Sequence, residues 1–186
     1  MPFIGIVGKV NDSNFIKNGL TKNSENTKFE IININNKSIE NIKNIKFDVL
    51  VINENNFEIL NNSKYLEDIM SQAGYIIVNS DIQNNLSLLK NTKLNIITYG
   101  FNAKCTITVS SIKDEDTLIC VQRNIKRVNG KIIEEQEFNI KIKKNNIKKL
   151  YNTLVIFTIL AIFGENLKKN LENFNFLCRQ IGKSVV

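Results

Sequence analysis

The chain contains no histidine. That excludes imidazole acid/base catalysis, Ser-His-Asp and Cys-His nucleophiles, and histidine metal sites. Cysteine is scarce: Cys105, Cys120 and Cys178 form no CxxC pair, so neither a zinc site nor a disulfide framework is indicated, and buried reduced thiols are expected. Arginine is confined to Arg123, Arg127 and Arg179, against 22 lysines among the 25 basic residues. Long apolar runs are also missing. The longest, residues 151–163 (YNTLVIFTILAIF), is interrupted by Asn152, Thr153 and Thr158 and falls short of the roughly 20 residues of a membrane span, so a buried core helix is expected. The start MPFIGIVGKVND has no basic segment ahead of its short apolar run, which is unlike a signal peptide and leads to the expectation of a cytoplasmic protein.

What is present points to one ordinary globular domain. A length of 186 residues suits a single domain, and 42% hydrophobic residues with a mean hydropathy of -0.14 support a proper core. The net charge is +7, which alone raises nucleic acid as a partner. Composition offers a simpler reading: 31 Asn, 30 Ile and the lysine excess share AT-rich codons, while the residue preferred for phosphate and base recognition is nearly absent. Positions 123–150 hold nine Lys/Arg against Glu134, Glu135 and Glu137, or +6 of the total. Such a segment can attract an acidic partner, a headgroup or a nucleotide-sugar. Lacking interleaved aromatics apart from Phe138, it has no stacking surface for single strands, and a solvated face is expected.

Hydrophobic patterning divides the chain in three. Up to residue 100, β-type runs at 3–7, 29–34, 47–52, 75–79 and 94–98 alternate with polar helical stretches, and consecutive rather than alternate apolar positions in DVLVIN and YIIVNS suit strands of a parallel sheet covered on both faces. Asp12 or Ser13 is expected to cap a helix over 14–21, Ser38 one over 39–44, and Ser63 one over 64–72. Across 101–144 the period becomes two, with Cys105, Ile107 and Val109 and then Phe138, Ile140 and Ile142 on one face, and Asn129-Gly130 signals a hairpin between them. A small antiparallel sheet is the expectation there. Helices follow at about 146–164 and 166–180, the second carrying Leu167, Leu171, Phe174, Leu177 and Ile181 at helical spacing. Neither a linker nor an internal repeat is apparent.

The first strand runs into Gly5-Ile6-Val7-Gly8-Lys9-Val10-Asn11-Asp12-Ser13, a strand-to-helix turn of the kind whose N–H groups can cradle phosphate. Val10 after Gly8-Lys9 departs from GxxxxGK[ST], leaving a simple tight turn as the competing reading.

GYIIVNSD at 74–81, LNIITYGFNAKCTITVSSI at 94–112, FNIKI at 138–142 and NNIKKLYNTLVIFTILAIFG at 145–164 together resemble the second half of the central ATP-binding domain of the Mur ligases. In that family a strand ends in Asn-x-Asp-Asp, the next ends in Tyr-Gly-Phe, antiparallel strands come after, and a helix opens with an Asn-Ala-like step and closes at Gly. The resemblance, spanning roughly 3–164, places the family's GTNGKTT loop on residues 8–14 and its Thr-Asn segment on Ile52-Asn53. Several positions depart from the family. The slots of the loop lysine and the magnesium-holding Thr carry Asp12 and Ser13, with Lys9 three places earlier; ENNFE at 54–58 supplies no histidine; and Ile82 replaces the second Asp after Asn79 and Asp81. No lysine near 64–69 falls at the family's carbamylated position, and the family's flanking domains are not expected. Glu54 and Glu58 offer oxygen ligands for Mg²⁺, with a solvated loop as the plainer expectation.

The expected architecture is therefore a single α/β domain over 1–186: a mainly parallel sheet flanked by helices, a small antiparallel sheet and C-terminal helices. What the resemblance implies for function is a non-catalytic Mur ligase-like binding or scaffold protein connected to cell-wall or spore-envelope processes. Two alternatives remain open: a minimal nucleotide-dependent ligase or phosphohydrolase using ATP and Mg²⁺, and a basic nucleic-acid-binding protein. Candidate phosphate- or nucleotide-binding residues are Gly8, Lys9, Asn11, Ser13, Asn53, Asn79 and Asp81; no catalytic residue, resident cofactor or metal ligand is assigned. Leu167, Leu171 and Phe174 are candidates for an interface with a second copy or an envelope protein.

Overall fold

A computed structural model describes residues 1–53, 63–82, 89, 94–113, 116–140 and 147–167. The five apolar runs of the first hundred residues form β1 (Phe3–Val7), β2 (Glu30–Ile34), β3 (Val49–Ile52), β4 (Tyr75–Asn79) and β5 (Ile96–Gly100). Between them lie α1 (Val10–Asn23), α2 (Ile39–Ile42) and α3 (Ser63–Gln72). Beyond β5 come β6 (Ile107–Ile112), β7 (Thr117–Val121), β8 (Ile125–Lys126), β9 (Ile132–Ile133), β10 (Gln136–Ile140) and α4 (Ile147–Phe163).

Eight strands make one sheet in the order β10-β7-β6-β5-β4-β3-β1-β2. Pairing is parallel from β2 through β6 and antiparallel from β6 to β7 and β10. The expected α/β class is present, and the period-two strands are distributed differently from expectation. β6, β7 and β10 continue the main sheet, since β5 offers β6 a parallel edge at Tyr99 and Gly100. Among the described residues the separate antiparallel sheet is the β8–β9 ribbon. Its turn has Gly130 at φ 82°, so Asn129-Gly130 closes the hairpin as its chemistry requires, with Arg127 N–H reaching Lys131 O at 2.8 Å.

Alternate residues of the central strands feed two cores. Val49 and Val51 join α1 and α4 on one face, while Leu50 and Ile52 join α2 and α3 on the other. This double burial is why those runs are apolar at every position. Of the 17 residues in α4, 12 are buried, which suits a helix that is apolar nearly all round. It ends where Gly164 takes φ 78°, with Glu165 N–H on Leu160 O and Gly164 N–H on Ala161 O, the paired bonds of a Schellman stop.

Helix α1 starts four residues ahead of the expected 14–21 segment. Lys9 is its N-cap residue, without a side-chain cap, because Asp12 and Ser13 lie inside the first turn and bond to other elements. Ser38 precedes α2 but does not cap it by a side-chain bond; its hydroxyl instead closes a local turn with Asn35.

Candidate functional site

Strand β1 lies between β2 and β3, so the chain turns to one side after β1 and to the other after β3. In open α/β sheets such a reversal leaves a crevice beyond the carboxyl ends of the two strands, a regular ligand position. Here a cleft of about 490 Å³ occupies that place, lined from β1 and α1 by Lys9 and Asp12, and from the ends of β3 and β4 by Asn53, Asn79, Asp81 and Ile82. Among the described residues, the start of α4 adds Ile147, Lys148, Tyr151 and Asn152 to the lining.

A relay of side-chain hydrogen bonds crosses its floor. The Tyr99 hydroxyl donates to Asn53 Oδ1, Asn53 Nδ2 to Asn152 Oδ1 at 2.9 Å, and Asn152 Nδ2 to Asp12 Oδ1 at 2.9 Å. Lys148 Nζ closes the chain 3.2 Å from Asp12 Oδ2. Tyr99, Asn53, Asn152 and Asp12 are all buried, so each bond satisfies groups that would otherwise be costly to bury. Burial, with the neighbouring Tyr151 next in weight, pushes the Tyr99 hydroxyl well above its ordinary pKa.

Asp81 organises the opposite rim. Its Oδ2 accepts the Phe101 N–H at 2.6 Å and the Tyr151 hydroxyl at 2.8 Å, and its Oδ1 accepts the Asn102 N–H at 3.2 Å. Its own N–H donates to Asn79 Oδ1 at 3.1 Å. Gly100, at φ 154°, is what permits this seat: a Cβ there would lie 2.6 Å from Asp81 Oδ2. The TYGF run thus acquires a physical meaning, with Tyr99 feeding the relay, Gly100 making room, and Phe101 supplying an N–H and an edge-to-face contact with Tyr151 at 4.8 Å. Burial first, and then the bond to Asp81, raise the Tyr151 pKa far above the usual phenol value. Both phenols keep their protons.

Of the seven residues proposed from sequence for phosphate or nucleotide, Lys9, Asn53, Asn79 and Asp81 line the cleft. Gly8 stands behind it at the end of β1, its carbonyl accepting Asn33 Nδ2 at 2.9 Å. Ser13 is not in the lining: its hydroxyl accepts Asn33 Nδ2 at 2.7 Å and donates to Lys9 O, tying α1 to β2. Asn11 is exposed on the first helical turn and does not line the cleft either. Lys148, Tyr151 and Asn152 were missed by sequence reasoning. Their spacing of i, i+3 and i+4 at the polar opening of an apolar helix was the available signal, because it sets three polar side chains on one face. Among the described residues no three His, Cys, Asp or Glu side chains cluster to hold a metal, and no helix is long and apolar enough to cross a membrane. Glu54, Glu58, Leu171, Phe174 and residues 141–146 of the basic segment lie outside the described residues; Leu167 is buried.

No family model matches the chain. Over 116 residues it is 29% identical to UDP-N-acetylmuramate--L-alanine ligase of Acetivibrio thermocellus, a match that covers 60% of this chain and 24% of that protein. The chain thus aligns with about a quarter of its relative's length. The match supports a distant, Mur-ligase-like relationship.

Proposed function

We propose that this chain is a Mur ligase-like binding or scaffold protein that does not carry out ATP-dependent ligation, works in cell-wall processes, and uses the cleft at the strand ends to hold a small polar ligand. The observation that carries this reading is the length of the β1–α1 connection. Only Gly8 and Lys9 separate the strand from the helix, whereas a phosphate-cradling loop needs several consecutive residues whose N–H groups point at the ligand. The N–H groups of Asp12 and Ser13 are instead spent on Lys9 O at 3.0 and 3.1 Å. Ligation also requires a cation opposite the charge that develops on the transferring phosphate, and here the first turn contributes the Asp12 carboxylate, which holds Lys148 at 3.2 Å. Support for the cell-wall setting comes from the relative, whose name describes a ligase acting on UDP-N-acetylmuramate and L-alanine.

The test is phosphate release from ATP with Mg²⁺, with and without amino acids and UDP-linked precursors. Background rates are expected throughout. A turnover above about 0.1 s⁻¹ that disappears in Lys9→Ala overturns the proposal, since ordinary enzymes turn over at roughly 1–10³ s⁻¹.

A further inference from the structure

The cleft holds an ion pair of its own, and its position bears on which ligands can enter. Lys148 is half-exposed on the wall, while its partner Asp12 is nearly buried, with relative side-chain exposures of 54% and 8%. Asp12 is anchored from behind by Asn152, which the relay ties in turn to Asn53 and Tyr99. The carboxylate is therefore a fixed part of the wall, and the lysine is the member able to move. Asp12 also sits in the first turn of α1, where a negative charge is favoured by the helix dipole.

We infer that Asp12 acts as a built-in anion in this cleft, holding Lys148 and excluding polyphosphate, so that the residue determines the class of ligand the site accepts. This rests on the reading of the cleft as a binding site. A polyphosphate drawn toward Lys9 and Lys148 meets the Asp12 carboxylate, which lines the same cavity, and must take Lys148 from it against like-charge repulsion. Neutral polar ligands incur no such penalty, whereas an ammonium ligand meets the charges of Lys9 and Lys148; the donor groups of a neutral ligand face the carboxylates of Asp12 and Asp81. The cleft thus discriminates by charge rather than by size.

Inorganic tripolyphosphate without divalent metal is the probe, titrated calorimetrically into the full chain and its variants. Wild type should bind with a Kd of about 1 mM or weaker. Asp12→Asn keeps the Asn152 contact in reach and removes the charge, and should bind at least about tenfold more tightly, a modest part of a close charge–charge interaction in a partly buried site. Adding Lys148→Gln to Asp12→Asn should abolish the gain. Asp12→Ser serves as a second neutral variant, and circular dichroism confirms that each protein is folded. Submillimolar binding by wild type, no gain in either folded neutral variant, or a gain that survives Lys148→Gln each overturns the inference. Background ATP turnover together with no gain in the neutral variants would sink Asp12's role and leave the proposed function standing.

Discussion

Asn152→Leu is the most informative single perturbation of the relay. The asparagine is buried on α4 and makes two bonds of 2.9 Å, accepting from Asn53 Nδ2 and donating to Asp12 Oδ1. Leucine has the same heavy-atom branching, with methyl groups bulkier than the amide oxygen and nitrogen, so the change removes bonds without opening a cavity. One lost bond is neutral and one charge-assisted, which together are worth about 2–4 kcal/mol when the partners stay buried. At roughly 2–4 °C per kcal/mol for a chain of this size, the melting temperature should fall by roughly 4–16 °C. Urea unfolding followed by circular dichroism checks the free energy, with an unchanged m-value showing that only stability has moved. Tyr99→Phe, which strips the donor from Asn53 Oδ1, should cost about 1–2 kcal/mol by the same reasoning. Because both variants act on Asn53, the double variant should cost less than their sum by about 0.5 kcal/mol or more. An Asn152→Leu protein within about 0.5 kcal/mol of wild type would refute the relay as a structural element.

Two further expectations concern packing and pH. In Gly19→Ala the new Cβ would stand 2.3 Å from Ile156 Cδ1, where α1 meets α4; overpacking of about 1–3 kcal/mol outweighs a helix-propensity gain of about 1 kcal/mol, and Ile156→Val, which deletes that methyl, should turn the loss into neutrality or gain in urea unfolding. A Gly19→Ala protein more stable than wild type would contradict this. Glu165 joins the end of α4 to the turn after α1 through the Ser24 hydroxyl and the Glu25 N–H; burial works to raise its pKa, yet hydrogen bonds from Thr27, Glu25, Ser24 and Asn26 outweigh burial and lower it below 4.5. A depressed carboxylate stabilises above the unfolded value and loses that contribution as pH falls through the folded one. Wild type should thus melt above Glu165→Gln at pH 7, and the gap should close below pH 4.5; a gap unchanged at pH 3 would refute the assignment.

Much of the fold was legible because burial leaves a local mark. Residues 49–52 and 75–78 are apolar at successive positions since both faces of the sheet are covered, and α4 is apolar nearly all round since it is packed on most sides. Edge and ribbon strands carry a weaker mark: Ile107, Val109, Phe138 and Ile140 show period two whether they form their own sheet or extend another. The partner that β6 finds in β5 is set by strand order, which periodicity does not encode. Asp12 illustrates the same limit at the helix start. A cap and a first-turn acid have the same composition, and the choice was made by Asn152 and Lys148 on a helix far along the chain.

By itself, then, the amino-acid sequence determined the element types, the two-sided burial of the central strands, the hairpin at Asn129-Gly130 and the impossibility of histidine chemistry, since each depends on residue identity or on spacing within one segment. It also placed Lys9, Asn53, Asn79 and Asp81 at strand ends, where a parallel sheet gathers its ligands. Only the tertiary structure decided that Asn53 meets Asn152 across 99 positions, Tyr151 meets Asp81 across 70 and Asp12 meets Asn152 across 140. Hydrogen bonds between polar side chains need ångström-level alignment, which comes from the rotation of α4 on the sheet and from the crossing order of the strands. Those are properties of the packed chain, and no local pattern of residues carries them.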